Sequence, residues 1–210
     1  MKKVFFSFLS LFSLFLFSCS DLDSFDYGLG AYYVEIVTAT EKNVFLLDTG
    51  KEIRNVGGKN SADFETGDRV YLVFSYTEET KGEIEIHSST KIFQKDPDIV
   101  QKEEIAKYAN DPVSFQSAWI GSHYLNLHFY IEYKSIPHKI FLIMEESQAN
   151  DKEIKLYFRH DAGNDTPGYP SPVYTSFNLS GALGEPQGDR ILLINFNTTN
   201  YGDKVYKFKY

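Results

Sequence analysis

Cysteine is all but absent from this 210-residue sequence, the single one being Cys19. A disulfide framework is therefore excluded, and stability has to come from the apolar core alone. Long apolar runs are equally scarce. The one at residues 4–17 carries no charge but spans only about 14 residues, short of the roughly 18 to 20 that cross a hydrocarbon core. Excess positive charge is missing as well: the formal charge is −8, which repels phosphate backbones and anionic headgroups, so nucleic acid is not an expected partner. The nucleotide and hydrolase signatures are lacking too. Gly28-Leu29-Gly30 runs into strand residues without a third glycine, and no Gly-x-Ser-x-Gly elbow, no phosphate-cradling Gly-Lys-Ser/Thr and no His-Glu-x-x-His occurs. No catalytic residue, cofactor or metal is expected on these grounds, and the chain reads as a non-enzyme.

What is there begins with Lys2 and Lys3 ahead of the apolar run, the n-region and h-region of a secretory signal. The run closes on Leu16-Phe17-Ser18-Cys19, with a branched apolar residue three before the cysteine and a small residue directly before it. This resembles a bacterial lipobox, which implies cleavage between Ser18 and Cys19 and acylation of Cys19. An ordinary signal peptide cut nearby is the alternative. Three acyl chains, at about 0.8 kcal/mol per buried CH₂, exceed the two-signal threshold for stable anchoring, so the membrane is the first expected partner, held through acylated Cys19. Loss of residues 1–18 takes Lys2 and Lys3 away and moves the formal charge from −8 to about −10. Residues 19–30, with Asp21, Asp23 and Asp26, form an acidic stretch without periodicity, which reads as a tether.

Between residues 31 and 97 the pattern is strands and turns. Val34, Ile36 and Thr38 alternate with Tyr33, Glu35 and Val37; Val44–Leu47 is a short apolar run ending in the turn Asp48-Thr49-Gly50; Val70, Leu72, Phe74 and Tyr76 share one face; Glu83–His87 interleaves polar and apolar positions. With the short Glu52–Asn55 segment this makes about five strands, which suits a small closed barrel of the OB type. Asp96-Pro97 interrupts the pattern, and residues 98–111 read as a linker with a short helix that ends at Asn110-Asp111-Pro112. From residue 112 to 210 seven strands follow. The clearest is His123–Lys134, where Leu125, Leu127, Phe129, Ile131 and Tyr133 alternate with Asn126, His128, Tyr130 and Glu132. The expected architecture is all-β: an N-terminal five-stranded OB-like barrel, then a seven-stranded immunoglobulin-like β-sandwich with Trp119 as a core anchor between its sheets.

Specific residues add to this reading. Asn110-Asp111-Pro112-Val113, Trp119-Ile120-Gly121, Tyr124-Leu125-Asn126 and Tyr157-Phe158-Arg159-His160 with Asp165 beyond resemble the NigD-like lipoproteins of Bacteroidetes. Leu47-Asp48-Thr49-Gly50 and Gly67-Asp68-Arg69-Val70 agree with that family in the first half. The resemblance implies the same barrel and sandwich, carries no active site over, and suggests a bacteriocin-associated or immunity role. Acidic residues after the lipidated cysteine resemble the signal that sends Bacteroidetes lipoproteins to the cell surface. The expected location is therefore the cell envelope, lipid-anchored in the outer membrane and exposed at the surface, with the periplasmic face as the alternative.

Candidate site residues are few. His123 and His128 stand five apart on one strand and so face opposite ways. His87 shares a face with Glu83 and Glu85, which reads as a solvated strand face in preference to a metal patch. The richest polar cluster is Arg159, His160, Asp161, Asn164 and Asp165, at the end of a strand and the start of a Gly/Pro-rich loop. Such a loop on a rigid sheet is where partner sites usually lie. Its spacing lacks the alternation of an EF-type calcium loop, and local turn formation accounts for its composition. Three functions remain open: a binding module for a protein or glycan partner at the cell surface, a hydrolase using His160 with Asp161 or Asp165, and an envelope structural component. Nothing in the sequence sets the oligomeric state.

Overall fold

The computed structural model describes residues 31–58, 64–148 and 151–210. The expected secretory signal, Cys19 and the expected acidic tether lie outside these residues. Strands β1 (Tyr33–Glu41), β2 (Val44–Leu47), β3 (Glu52–Gly58), β4 (Arg69–Glu78) and β5 (Glu83–Lys91) close into a barrel in the order β1-β2-β3-β5-β4. Among the described residues the one parallel pairing in the barrel joins β3 to β5, and closure leaves no free edge among these five strands. The side-chain period of two puts Val37, Phe45, Ile53, Val70, Leu72, Phe74, Ile84 and Ile86 inside, all of them buried.

The remaining strands form two sheets face to face. Strands β6 (Phe93–Lys95), β8 (Ser114–Gly121), β9 (Tyr124–Tyr133) and β12 (Tyr169–Asn178) make a four-stranded sheet in the order β6-β12-β9-β8. Strands β7 (Asp98–Val100), β10 (Lys139–Glu145), β11 (Glu153–Asp161), β13 (Ile191–Thr198) and β14 (Gly202–Lys209) make a five-stranded one in the order β14-β13-β11-β10-β7. Leu125, Leu127, Phe129, Leu142, Phe158, Phe177, Ile194 and Phe196 fill the space between them.

The barrel-then-sandwich order expected from the sequence stands, and the seven sandwich strands read there correspond to β8–β14. Two short strands join them. After Phe93–Lys95 has paired in parallel with β12, the Asp96-Pro97 break sends the chain across to pair Asp98–Val100 in parallel with β10. Residues 93–100 thus straddle both sheets at one edge, where the sequence places the end of the barrel and the start of a linker. The expected short helix is a 3₁₀ turn at Lys102–Lys107 that buries Ile105. Pairing of β11 with β13 is parallel as well, unlike the antiparallel ladders of an immunoglobulin sandwich.

Trp119 is a correction. It lies opposite Asn126 on the outer face of the four-stranded sheet and is 36% exposed, not between the sheets. The cause is a bulge between Phe115 and Ser117. One extra residue shifts the parity of the strand, so Phe115, Ala118 and Ile120 pack on the core and Trp119 turns outward.

The barrel meets the sandwich at a buried arginine. Arg69, at the start of β4, is 0% exposed. Its Nη1 donates to Thr38 Oγ1 at 2.9 Å and Asp48 Oδ1 at 2.7 Å, and its Nη2 donates to Asp48 Oδ2 at 2.9 Å and Asn126 Oδ1 at 3.0 Å. Nε donates to Ser176 Oγ at 3.3 Å, so all five guanidinium protons are used. Asn126 Nδ2 donates to Asp48 Oδ2 at 2.9 Å, and the Tyr124 ring lies 4.2 Å from the guanidinium carbon. Thr38, Asp48 and Arg69 belong to the barrel, whereas Tyr124, Asn126 and Ser176 come from β9 and β12. Gly121 is required here for space: a Cβ on it would stand 1.9 Å from Asp48 Oδ2. The motif residues Asp48, Arg69, Gly121, Tyr124 and Asn126, distant in sequence, are one polar latch.

Candidate functional site

The second group of motif residues gathers at the other end of β9, where β10 and β11 also terminate. Alternation along β11 turns Phe158 and His160 toward the sandwich interior and Arg159 away from it. Pairing of Lys139 with Asp161 and Ile140 with His160 brings His138, just ahead of β10, beside His160. The Nδ1 of His138 lies 2.8 Å from His160 Nε2, and its Nε2 lies 3.3 Å from Asp165 Oδ2. His160 is 3% exposed, and the His138 and Asp165 side chains are 3% and 2% exposed. Asp165 also accepts from the main-chain N–H of Lys134 at 2.8 Å and of Ser135 at 3.3 Å, so it pins the loop between β9 and β10. Those main-chain donors, with His138, hold its carboxyl below the usual carboxylate range.

An ionised carboxylate only accepts, so His138 donates to Asp165 through Nε2. When both rings are neutral, His138 Nδ1 is then an acceptor, His160 donates to it through Nε2, and His160 Nδ1 carries a bare lone pair. That atom is buried and has no hydrogen-bond partner among the described residues. Desolvation, followed by the neighbouring His138, pushes the His160 pKa below its ordinary value, with the Asp111 main chain and carboxylate opposing more weakly.

His138 and His160 line a cavity of about 660 Å³ whose wall continues through Asp111, Tyr130, Glu132 and Asp165. Pro112, Pro167 and Pro170 stiffen the lining, and no lysine or arginine among the described residues belongs to it. Asp111 is fixed from both sides. Its N–H donates to the His160 carbonyl at 2.9 Å, and its Oδ2 accepts from the Ala162 N–H at 2.8 Å. Neither histidine hydrogen-bonds to a serine, threonine or cysteine among the described residues. Among those residues, no group of three or more His, Cys, Asp or Glu is arranged to hold a metal ion.

The polar cluster singled out in the sequence is therefore divided. His160 and Asp165 reach the cavity. Arg159 points to the opposite face, where it donates to Asn110 Oδ1 at 3.2 Å and Asn195 Oδ1 at 3.3 Å. Asp161 closes a local turn by accepting from the Gly163 N–H at 2.8 Å, and Asn164 is exposed in the same loop without lining the cavity. Sequence reasoning missed His138 as the link. Its only signal was the register of the β10–β11 hairpin, 22 residues from His160. Glu132 and Tyr130 were read merely as the polar face of β9. Of the other histidines, His87 lies 2.9 Å from Ser75 Oγ, and His128 stacks on Tyr174 with centroids 4.2 Å apart.

No match is found among curated proteins. Several crystal structures share the fold. A protein from Parabacteroides distasonis designated toxin-related is 25% identical with a TM-score of 0.73, over 85% of this chain and 93% of its own. A NigD-like immunity protein from Bacteroides caccae is 16% identical with a TM-score of 0.62, over 87% and 93%. A protein from Bacteroides fragilis designated a lipoprotein is 12% identical with a TM-score of 0.61, over 85% and 98%. Residues 97–210, more than half the chain, match the NigD-like C-terminal β-sandwich domain, with both parallel crossover strands and the His160 cavity inside or bordering the matched stretch. By that match the chain belongs to the NigD-like family.

Proposed function

We propose that this protein is a non-catalytic binding module of the cell envelope with an immunity-associated role, held in the outer membrane by acylated Cys19 and exposed at the cell surface. The observation that carries the binding part is the cavity at the end of the sandwich. It is preformed by strands and pinned loops, in the size range of ligand sites, and its histidines are tied to a carboxylate and to each other instead of to a nucleophile. The lipobox-like segment and the fold shared with a protein designated a lipoprotein support the anchoring. Fold shared with proteins designated immunity and toxin-related supports the role.

Two experiments test it. Feeding cells an alkyne-tagged palmitate labels the wild-type chain and leaves Cys19→Ala unlabelled; an unlabelled wild type removes the anchor. Deleting the gene sensitises the cell to the antibacterial products of sibling strains, and the wild-type chain restores resistance. Equal sensitivity with and without the gene removes the immunity role. The Asp165–His138–His160 chain favours a hydrolase as the second reading, and hydrolysis lost in His160→Gln at unchanged melting temperature would establish it.

A further inference from the structure

The cavity wall carries three carboxylates, those of Asp111, Glu132 and Asp165, beside hydroxyl and amide side chains that can donate or accept. The Glu132 side chain makes no hydrogen bond or ion pair among the described residues, and Asp111 has one carboxylate oxygen uncommitted there. With no lysine or arginine in the lining, an anionic or phosphorylated ligand meets only repulsion. The whole chain, at −8, adds a negative field of the same sign. Tyr130 adds an aromatic side chain to the same lining.

We infer that this cavity receives a lysine or arginine side chain from a protein partner, with Glu132 and Asp111 as its counter-charges. The inference rests on the binding-module reading and names the chemistry of what is bound. At about 660 Å³ the cavity holds one long basic side chain together with part of its main chain. Partner specificity then lies in charge, while Pro112, Pro167 and Pro170 add apolar surface to the lining.

The test uses the full chain in detergent, with histidine side-chain NMR as the readout. N-acetyl-arginine amide, N-acetyl-lysine amide, N-acetyl-citrulline amide and glucosamine are each titrated at millimolar concentration. At least one of the two cationic amino-acid probes is expected to move the His160 and His138 signals saturably. Glu132→Gln and Asp111→Asn should each weaken that binding about tenfold, the loss of one charge-assisted contact, at unchanged melting temperature. Citrulline, which has the shape of arginine without its charge, should not saturate. Failure of both cationic probes, equal binding of citrulline, indifference of both variants, or glucosamine binding as well as the amino acids overturns the inference. The gene-deletion assay judges the immunity reading separately, and a glucosamine result leaves a binding module with a different ligand.

Discussion

Asp48→Ala strikes the latch between barrel and sandwich. Asp48 supplies both carboxylate oxygens to Arg69, at 2.7 and 2.9 Å, and Arg69 is 0% exposed. Removing one partner of a buried pair leaves the other charge uncompensated and costs about 3–5 kcal/mol. The Asp48 side chain is 18% exposed, so water reaches the vacated position and the lower end applies, about 3 kcal/mol. For a chain of this size that is a fall of about 6–12 °C in melting temperature. Urea unfolding is followed by far-UV circular dichroism and by fluorescence of Trp119, the single tryptophan, which sits opposite Asn126 on the sheet face that bears the latch. The two probes coincide in the wild type and separate in Asp48→Ala, as the barrel and the sandwich unfold independently. Combining it with Arg69→Met restores part of the loss, with a coupling energy of at least about 1.5 kcal/mol. A loss below about 0.5 kcal/mol with coincident transitions, or strict additivity, refutes the latch.

Three further outcomes are expected. Gly121→Ala displaces Asp48 from Arg69, because the new Cβ would lie 1.9 Å from Oδ2; it should reproduce at least half of the Asp48→Ala loss by urea unfolding and show no effect on top of it. Stability should fall as pH drops below about 6.5: His160 and His128 both have pKa values lowered by burial, so the unfolded chain binds protons that the folded one refuses. Melting temperature against pH then shows a slope between about pH 7 and 5 that His160→Gln reduces and that His128 sustains in part; a second fall below about pH 4 follows protonation of Asp165, whose folded pKa is depressed. Tyr210→Phe removes the hydrogen bond from its hydroxyl to the Gly184 carbonyl at 2.5 Å and should cost about 1 kcal/mol in urea; in the wild type, its pKa, pushed up to about 12 by burial, makes stability decline as pH rises above about 10.

Legibility in the sequence followed the range of the physical signal. Period-two alternation is local, so the barrel strands and the seven long sandwich strands could be read from Val70-Leu72-Phe74 or Leu125-Leu127-Phe129 alone. Three-residue strands such as Phe93–Lys95 and Asp98–Val100 are too short to show a period, and they form because parallel edges of β12 and β10 are waiting for them. The bulge at Gln116 is equally invisible, being set by pairing with β9, and it reversed the expected side of Trp119. Motif residues were recognisable as a set, yet their division into a latch around Arg69 and a cavity around His160 is a product of topology. His160 and Asp165 could be picked out because they border one loop. His138 joins them through the hairpin register, and Glu132 and Asp111 through the shape of the strand ends, which no local pattern records.

The Asp165–His138–His160 chain that walls the cavity fixes which ring nitrogens carry protons. Long-range ¹H–¹⁵N correlation of the histidine rings at pH 7.5 reads this directly. The expected spectrum has His160 protonated at Nε2 and bare at Nδ1, with His138 protonated at Nε2 toward Asp165. A proton on His160 Nδ1 with Nε2 bare would contradict that chain and with it the preformed wall of the binding cavity.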